Sequence, residues 1–180
     1  MYSKPILTLD NAKSIAAAAE AEALQNHWRV VIAVVDDGGH LLYLQRSHDT
    51  QFGSVETAVQ KARAAVAFQR PAKASEEAVM SGRLIHLALP GVIPAEGGVP
   101  LRIDGVVIGG LGISGVRSFQ DGQIAAAGTA ALTQIVQGAS INPNSVAMLR
   151  CSINFNAYIS NICGALKFIS RLAWLRILNF

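Results

Sequence analysis

Residues 96–114 read EGGVPLRIDGVVIGGLGIS, two short apolar runs that meet at Asp104-Gly105 and carry glycines at both outer ends. An Asp-Gly pair between alternating apolar residues predicts a tight hairpin, because a type I′ turn needs positive φ at both central positions. Gly97, Gly98, Gly109, Gly110 and Gly112 leave no side chain where the strands begin and end. Another backbone or a flat ligand can approach closely there. Gly97, Gly98, Gly110 and Ser114 are therefore candidate ligand-contacting positions. Glu96, at the head of the run, is a candidate general acid or base if its loop encloses it, and an exposed loop carboxylate otherwise.

Toward the N-terminus, VVIAVVD (30–36) is β-branched and nearly continuous, as a central strand buried on both faces requires. Asp37-Gly38-Gly39 turns the chain and LLYLQR (41–46) returns as a second strand. Before them, AKSIAAAAEAEALQ (12–25) predicts a helix capped by Thr8 or Asp10. Ile15, Ala19, Ala23 and His27 recur every four residues. If the helix reaches residue 27, its imidazole faces the sheet and can act as base or metal ligand; otherwise it bonds the last helical carbonyls.

Ser54 is placed to cap the next helix, with Val55, Val59, Ala62 and Val66 as its apolar stripe and Arg70-Pro71 as its end. Lys61 lies inside it. A lysine stem can cross apolar surface and carry the ammonium to an anionic ligand, although most helix lysines face water. Arg46, at a strand end, is positioned to bind a carboxylate or to make a plain surface ion pair. His40, His48 and Asp49 read as solvated loop residues. A short helix over residues 72–82, a strand over Leu84–Leu89 that holds His86, and a helix capped by Asp121 with Ile124, Ala127, Ala131 and Ile135 inward complete the body.

The motifs GGVPLRIDGVVIGGLGISG, QDGQIAAAG, VVIAVVDDGGHLLYLQR and KARAAVAF together resemble the GlcG/HbpS-like haem-binding family, which includes the C-terminal domain of PduO-type corrinoid adenosyltransferases. The resemblance spans residues 5–138 or so and departs at Val116, where the family commonly has a second glycine. It implies an α+β fold, an antiparallel sheet of about five strands flanked by helices in a profilin-like arrangement, associating into homo-oligomers. It also implies haem as a cofactor, held non-covalently since there is no CxxCH motif, with His27 or His86 on the iron and Lys61 or Arg46 at the propionates. A second implied reading is a cofactor-free lyase acting on a small aromatic acid such as a hydroxylaminobenzoate. There Glu96 and His27 would serve as acid and base, and Lys61 or Arg46 would hold the carboxylate. A third is a non-catalytic assembly subunit.

Charge distribution argues against nucleic acid, while the resemblance implies a small-molecule ligand and further copies of the chain as partners. Of 180 residues, those up to Gly138 hold 11 Lys plus Arg against 12 Asp plus Glu, so the net +3 comes from Arg150, Lys167, Arg171 and Arg176. The body carries no basic stripe for nucleic acid. Cys151 and Cys163 also lie in the tail, leaving no thiol in the body for a disulfide or zinc site. The N-terminus lacks a secretory signal pattern, which makes the cytoplasm the expected location. The tail, residues 139–180, is acid-free and apolar; it reads as an oligomerisation or amphipathic helix or as a read-through or frameshifted segment. Membrane spanning is not expected, since charges interrupt its apolar run. There is no P-loop, HExxH or GxSxG motif, nor a GxGxxG that opens a helix.

Overall fold

The computed structural model describes residues 4–139. The chain divides into two units, Met1–Val136 and Gln137–Phe180. The readings of the tail beyond Ala139 lie outside the described residues. The first unit is α+β, built in the order α1 (Leu9–Gln25), β1 (Val31–Asp36), β2 (Leu41–Arg46), α2 (Gly53–Ala67), α3 (Lys73–Met80), a 3-10 helix (Leu84–Ala88), β3 (Gly98–Ile103), β4 (Val106–Ser114) and α4 (Ser118–Ala139). Among the described residues, no helix is long and apolar enough to cross a membrane.

The sheet is antiparallel with strand order β2-β1-β4-β3. Strand β1 is central, and alternate residues of it feed two cores. Val30, Ile32 and Val34 pack with Ala12, Ile15, Ala16 and Ala19 of α1 and with Ile124 and Leu132 of α4. Val31 and Ala33 pack with Ala58 and Val59 of α2 on the other face. This is why the strand's sequence shows a continuous apolar run instead of alternation.

The Asp104-Gly105 hairpin forms as predicted, with φ of 49° and 79° at the two turn residues. The glycines of β4 admit a backbone and not a flat ligand. A Cβ at Gly110 would lie 2.5 Å from the carbonyl oxygen of Ala62, and one at Gly112 would lie 2.0 Å from that of Ala58. Helix α2 therefore crosses the sheet at a distance only glycine permits.

Three local expectations are corrected. The predicted strand at Leu84–Leu89 is a 3-10 helix, so the sheet has four strands. Its backbone closes on itself through His86 N–H to Arg83 C=O and Leu89 N–H to His86 C=O, which leaves no row of free groups for a ladder. Helix α2 starts one residue before Ser54, which is buried in its first turn and caps nothing; the N-cap position is Phe52. In α4 the inward stripe is Ile124, Ala125, Gly128 and Leu132, whereas Ala127 and Ala131 are only partly covered. Thr8, not Asp10, caps α1, its hydroxyl accepting the Asn11 N–H at 3.2 Å.

Candidate functional site

Helix α1 ends before His27. The His27 N–H bonds the Leu24 carbonyl and the Trp28 N–H bonds the Ala23 carbonyl, the paired closure of a Schellman motif. His27 takes the left-handed position of that motif at φ 57°. The imidazole is consequently exposed at the helix end, so of the two alternatives the helix-end position holds and the sheet-facing one does not. It lines a hollow of about 310 Å³ with Glu20, Leu24, Trp28, Arg29, Ser47 and His48. Arg46 is exposed at the end of β2, outside that hollow. Among the described residues, no group of three or more His, Cys, Asp or Glu is arranged to hold a metal ion.

Lys61 is buried, at 3% exposure, and turns inward. Its ammonium donates to Asp121 Oδ2 at 2.8 Å, to the Glu96 carbonyl at 2.8 Å and to the Ile113 carbonyl at 3.0 Å. All three N–H donors are thus spent on the protein, and Lys61 neither faces water nor turns outward toward a ligand. Asp121 is equally buried, and its Oδ1 accepts the Val116 N–H at 3.3 Å. Burial pushes the Asp121 carboxyl above its ordinary pKa, outweighing the Lys61 charge and hydrogen bond that pull it down. The helix-start contact expected of Asp121 is supplied by Gln120, whose side-chain oxygen accepts the Arg117 N–H.

Gly97 and Gly98 are closed by this pair. A Cβ at Gly97 would meet Asp121 at 2.7 Å, and one at Gly98 would meet the Lys61 carbonyl oxygen at 2.4 Å. Ser114 is buried at the end of β4. Gly97, Gly98 and Gly110 therefore face protein: of the two approaches the glycines allow, that of another backbone is the one seen here. Glu96 is held at both its backbone and its side chain. Its N–H donates to Glu76 Oε2 and to Ser118 Oγ, and Ser118 Oγ donates to Glu76 Oε2 at 2.6 Å. Its carboxylate, one-fifth exposed, lies 3.3 Å from the Lys73 ammonium and packs against Gly122. Glu96 is not among the residues that line the hollow at His27.

A larger concavity lies elsewhere among the described residues, between edge strand β3 and α4. It measures about 640 Å³, a size suited to a small organic ligand, and its apolar walls are Val99, Pro100, Pro71, Ala126 and Ala130. Two arginines, Arg70 and Arg102, are among its lining residues. Arg102 is strapped in place, Nη1 donating to the Gly105 carbonyl and Nη2 to the Gln69 carbonyl, both at 2.7 Å. Arg70 packs its guanidinium 5.6 Å from the Phe68 ring centre, and its Nε is buried without a partner among the described residues. A buried donor left unpaired costs free energy until an acceptor arrives.

Sequence reasoning missed both arginines and the Lys61–Asp121 pair. For Lys61 a signal existed: Ser54, Ala58, Lys61 and Ala65 are spaced three and four apart and are all buried, so the inward face is wider than the stripe that was predicted. For Arg70 and Arg102 there was none, since they are far apart in sequence and only the packed helix and hairpin bring them together.

The family model described as haem degrading protein HbpS-like matches residues 7–130. GlcG of Escherichia coli K12 is 43% identical over 114 residues, which is 63% of this chain and 85% of GlcG. The structure of PduOC in complex with haem superposes with a TM-score of 0.64 at 33% identity, covering 71% of this chain and 95% of that one. A double mutant of HbpS from Streptomyces reticuli superposes with a TM-score of 0.66 at 29% identity, covering 73% and 90%.

Proposed function

The chain belongs to the HbpS-like family, and on that premise we propose that it is a small-ligand-binding protein that holds haem non-covalently in the groove between β3 and α4. Haem asks for an apolar slot, cations for its propionates and usually a side-chain ligand to iron. The first two needs match the groove: Val99, Pro100, Ala126 and Ala130 give the slot, and Arg70 and Arg102 give the cations. No imidazole or thiolate is among the groove's lining residues. When bound, haem would supply a redox-active iron; the chain's own part is to enclose the ring and fix the carboxylates. The observation that carries the reading is an apolar groove of ligand size whose lining includes two arginines, Arg70 and Arg102. The PduOC complex with haem supports the same ligand class.

The test is a haemin titration of the full-length protein, followed by Soret absorption, with Arg70→Glu alongside. We expect saturation at one haemin per chain and at least about tenfold weaker uptake in the variant, the scale of one lost charge-assisted hydrogen bond. Equal uptake by both proteins would remove Arg70, and an unchanged Soret band in the wild type would remove haem.

One observation favours a second reading, the cofactor-free lyase. Glu96 is partly enclosed, fixed through its backbone and set against Lys73, an arrangement able to pass a proton to a leaving group while a cation holds a carboxylate. A screen of small aromatic hydroxylamines with wild type and Glu96→Gln separates the two readings, because only the lyase loses turnover in the variant.

A further inference from the structure

Charge is distributed unevenly around the groove between β3 and α4. Arg70, in the turn after α2, and Arg102, on β3, are its charged lining residues, and no carboxylate lines it among the described residues. Gln69 ends α2 in a left-handed conformation at φ 49°, its N–H bonding the Val66 carbonyl at 3.2 Å. The carbonyl of the same residue accepts Arg102 Nη2 at 2.7 Å, which holds the Arg102 guanidinium beside the backbone of Arg70. Two of the five N–H groups of Arg102 are spent on carbonyls, and three remain for a ligand. The wall from α4 is Ala126, Thr129, Ala130 and Thr133, with no charge. Thr129 turns its hydroxyl proton back onto its own helix, donating to the Ala125 carbonyl at 2.9 Å. The groups that ordinarily hold haem iron, an imidazole, a thiolate, a thioether or a phenolate, are absent from the lining among the described residues.

The groove thus matches two features of a haem, its apolar plate and its carboxylates, and offers nothing to the metal. We propose that it recognises planar tetrapyrroles with carboxylates along one edge by ring face and carboxylates alone, so that the metal-free porphyrin is held as tightly as haem. The inference rests on the haem-binding reading above and narrows what that site recognises. Affinity in such a groove comes from apolar surface removed from water and from charge-assisted hydrogen bonds to carboxylate. Both contributions are the same for haemin and for protoporphyrin IX, which share the macrocycle and its two propionates. An axial bond to iron is the contribution that would tell them apart, and no lining residue supplies it. The placement of the arginines also sets the orientation. The propionate edge lies toward Arg70 and Arg102, and the apolar edge lies along the uncharged wall of Ala126 and Ala130.

The experiment titrates the full-length protein with haemin, followed by Soret absorption, and separately with protoporphyrin IX, followed by its fluorescence. Haemin is then added to the porphyrin-loaded protein to test for one shared site, and Ala130→Trp is carried through the same measurements. Ala130 is exposed on α4, so the larger side chain fills the groove without entering the core. We expect one ligand per chain in each titration, dissociation constants within about threefold of each other, and displacement of the porphyrin by haemin. Ala130→Trp should weaken the uptake of both ligands by about tenfold or more. If haemin binds but the two constants differ by more than about threefold, or if haemin fails to displace the porphyrin, recognition depends on the metal; the inference is then wrong and haem binding stands. If Ala130→Trp takes up both ligands as the wild type does, the groove is not where they sit and the inference is wrong. If haemin gives no Soret change in the wild type, the haem reading falls and the inference falls with it.

Discussion

At the residue scale, the chain's most consequential side chain is Lys61, and it serves the fold before it serves any ligand. Its ion pair with Asp121 joins α2 to α4, and its other two hydrogen bonds hold the loop at Glu96 and the end of β4. Removing one partner of a buried pair strands the other, so Lys61→Met is expected to cost about 3–5 kcal/mol in urea denaturation. The double variant Lys61→Met/Asp121→Leu should cost less than Lys61→Met alone, since no buried charge remains; an additive loss would contradict the pairing. The pH dependence has a definite sign. Unfolded, Asp121 titrates near 3.8, and folded it titrates higher because it is buried. Between those values the unfolded chain has released a proton that the folded chain keeps, so this residue's contribution to stability falls as pH rises through the window. Asp121→Asn cannot titrate, and its deficit relative to wild type should be largest below pH 3.8 and narrow on raising the pH toward 7, as read from urea midpoints. His27 makes the opposite kind of prediction. It occupies a left-handed position at a cost of about 1–2 kcal/mol, of which a glycine's extra freedom in the unfolded chain returns about 0.4–1 kcal/mol. His27→Gly should therefore raise thermal stability modestly, and a lowered melting temperature would mean that the imidazole makes a stabilising contact.

At the scale of elements, the central relation is between α2 and the glycine strand β4. The helix carbonyls of Ala58 and Ala62 lie where Cβ atoms would be at Gly112 and Gly110. Neither contact involves the end of a flexible side chain, so neither can give way cheaply. Gly112→Ala is expected to destabilise by about 1–3 kcal/mol or to prevent folding, the usual cost of overpacking. Gly105→Ala, on the solvent side of the same hairpin, meets no neighbour and should cost only the strain of its positive φ. Comparing the two by chemical denaturation separates close approach from turn geometry. The hairpin itself was legible because turn chemistry is local, in Asp104 and Gly105. The 3-10 segment was not, since its apolar run suits a strand or a buried turn equally and only the hydrogen bonds of Arg83, His86 and Leu89 decide.

At the scale of the molecule, binding and stability are linked. A ligand that binds only the folded chain stabilises it by about 2.7 kcal/mol at a concentration one hundred times its Kd. Haemin should accordingly raise the melting temperature of the wild type in a concentration-dependent way, and a melting temperature that haemin leaves unchanged would argue against the groove. The sequence by itself determined the α+β class, the two hairpins, the central strand and the family, because each is written in nearest-neighbour chemistry: Asp-Gly and Gly-Gly turns, β-branched runs and helical periodicity. Only the tertiary structure decided what the glycines admit, where Lys61 points and which arginines share a groove. Those outcomes depend on how closely α2 approaches β4 and how α4 lies along β3, and distances between elements remote in sequence are set by packing, which no local pattern encodes.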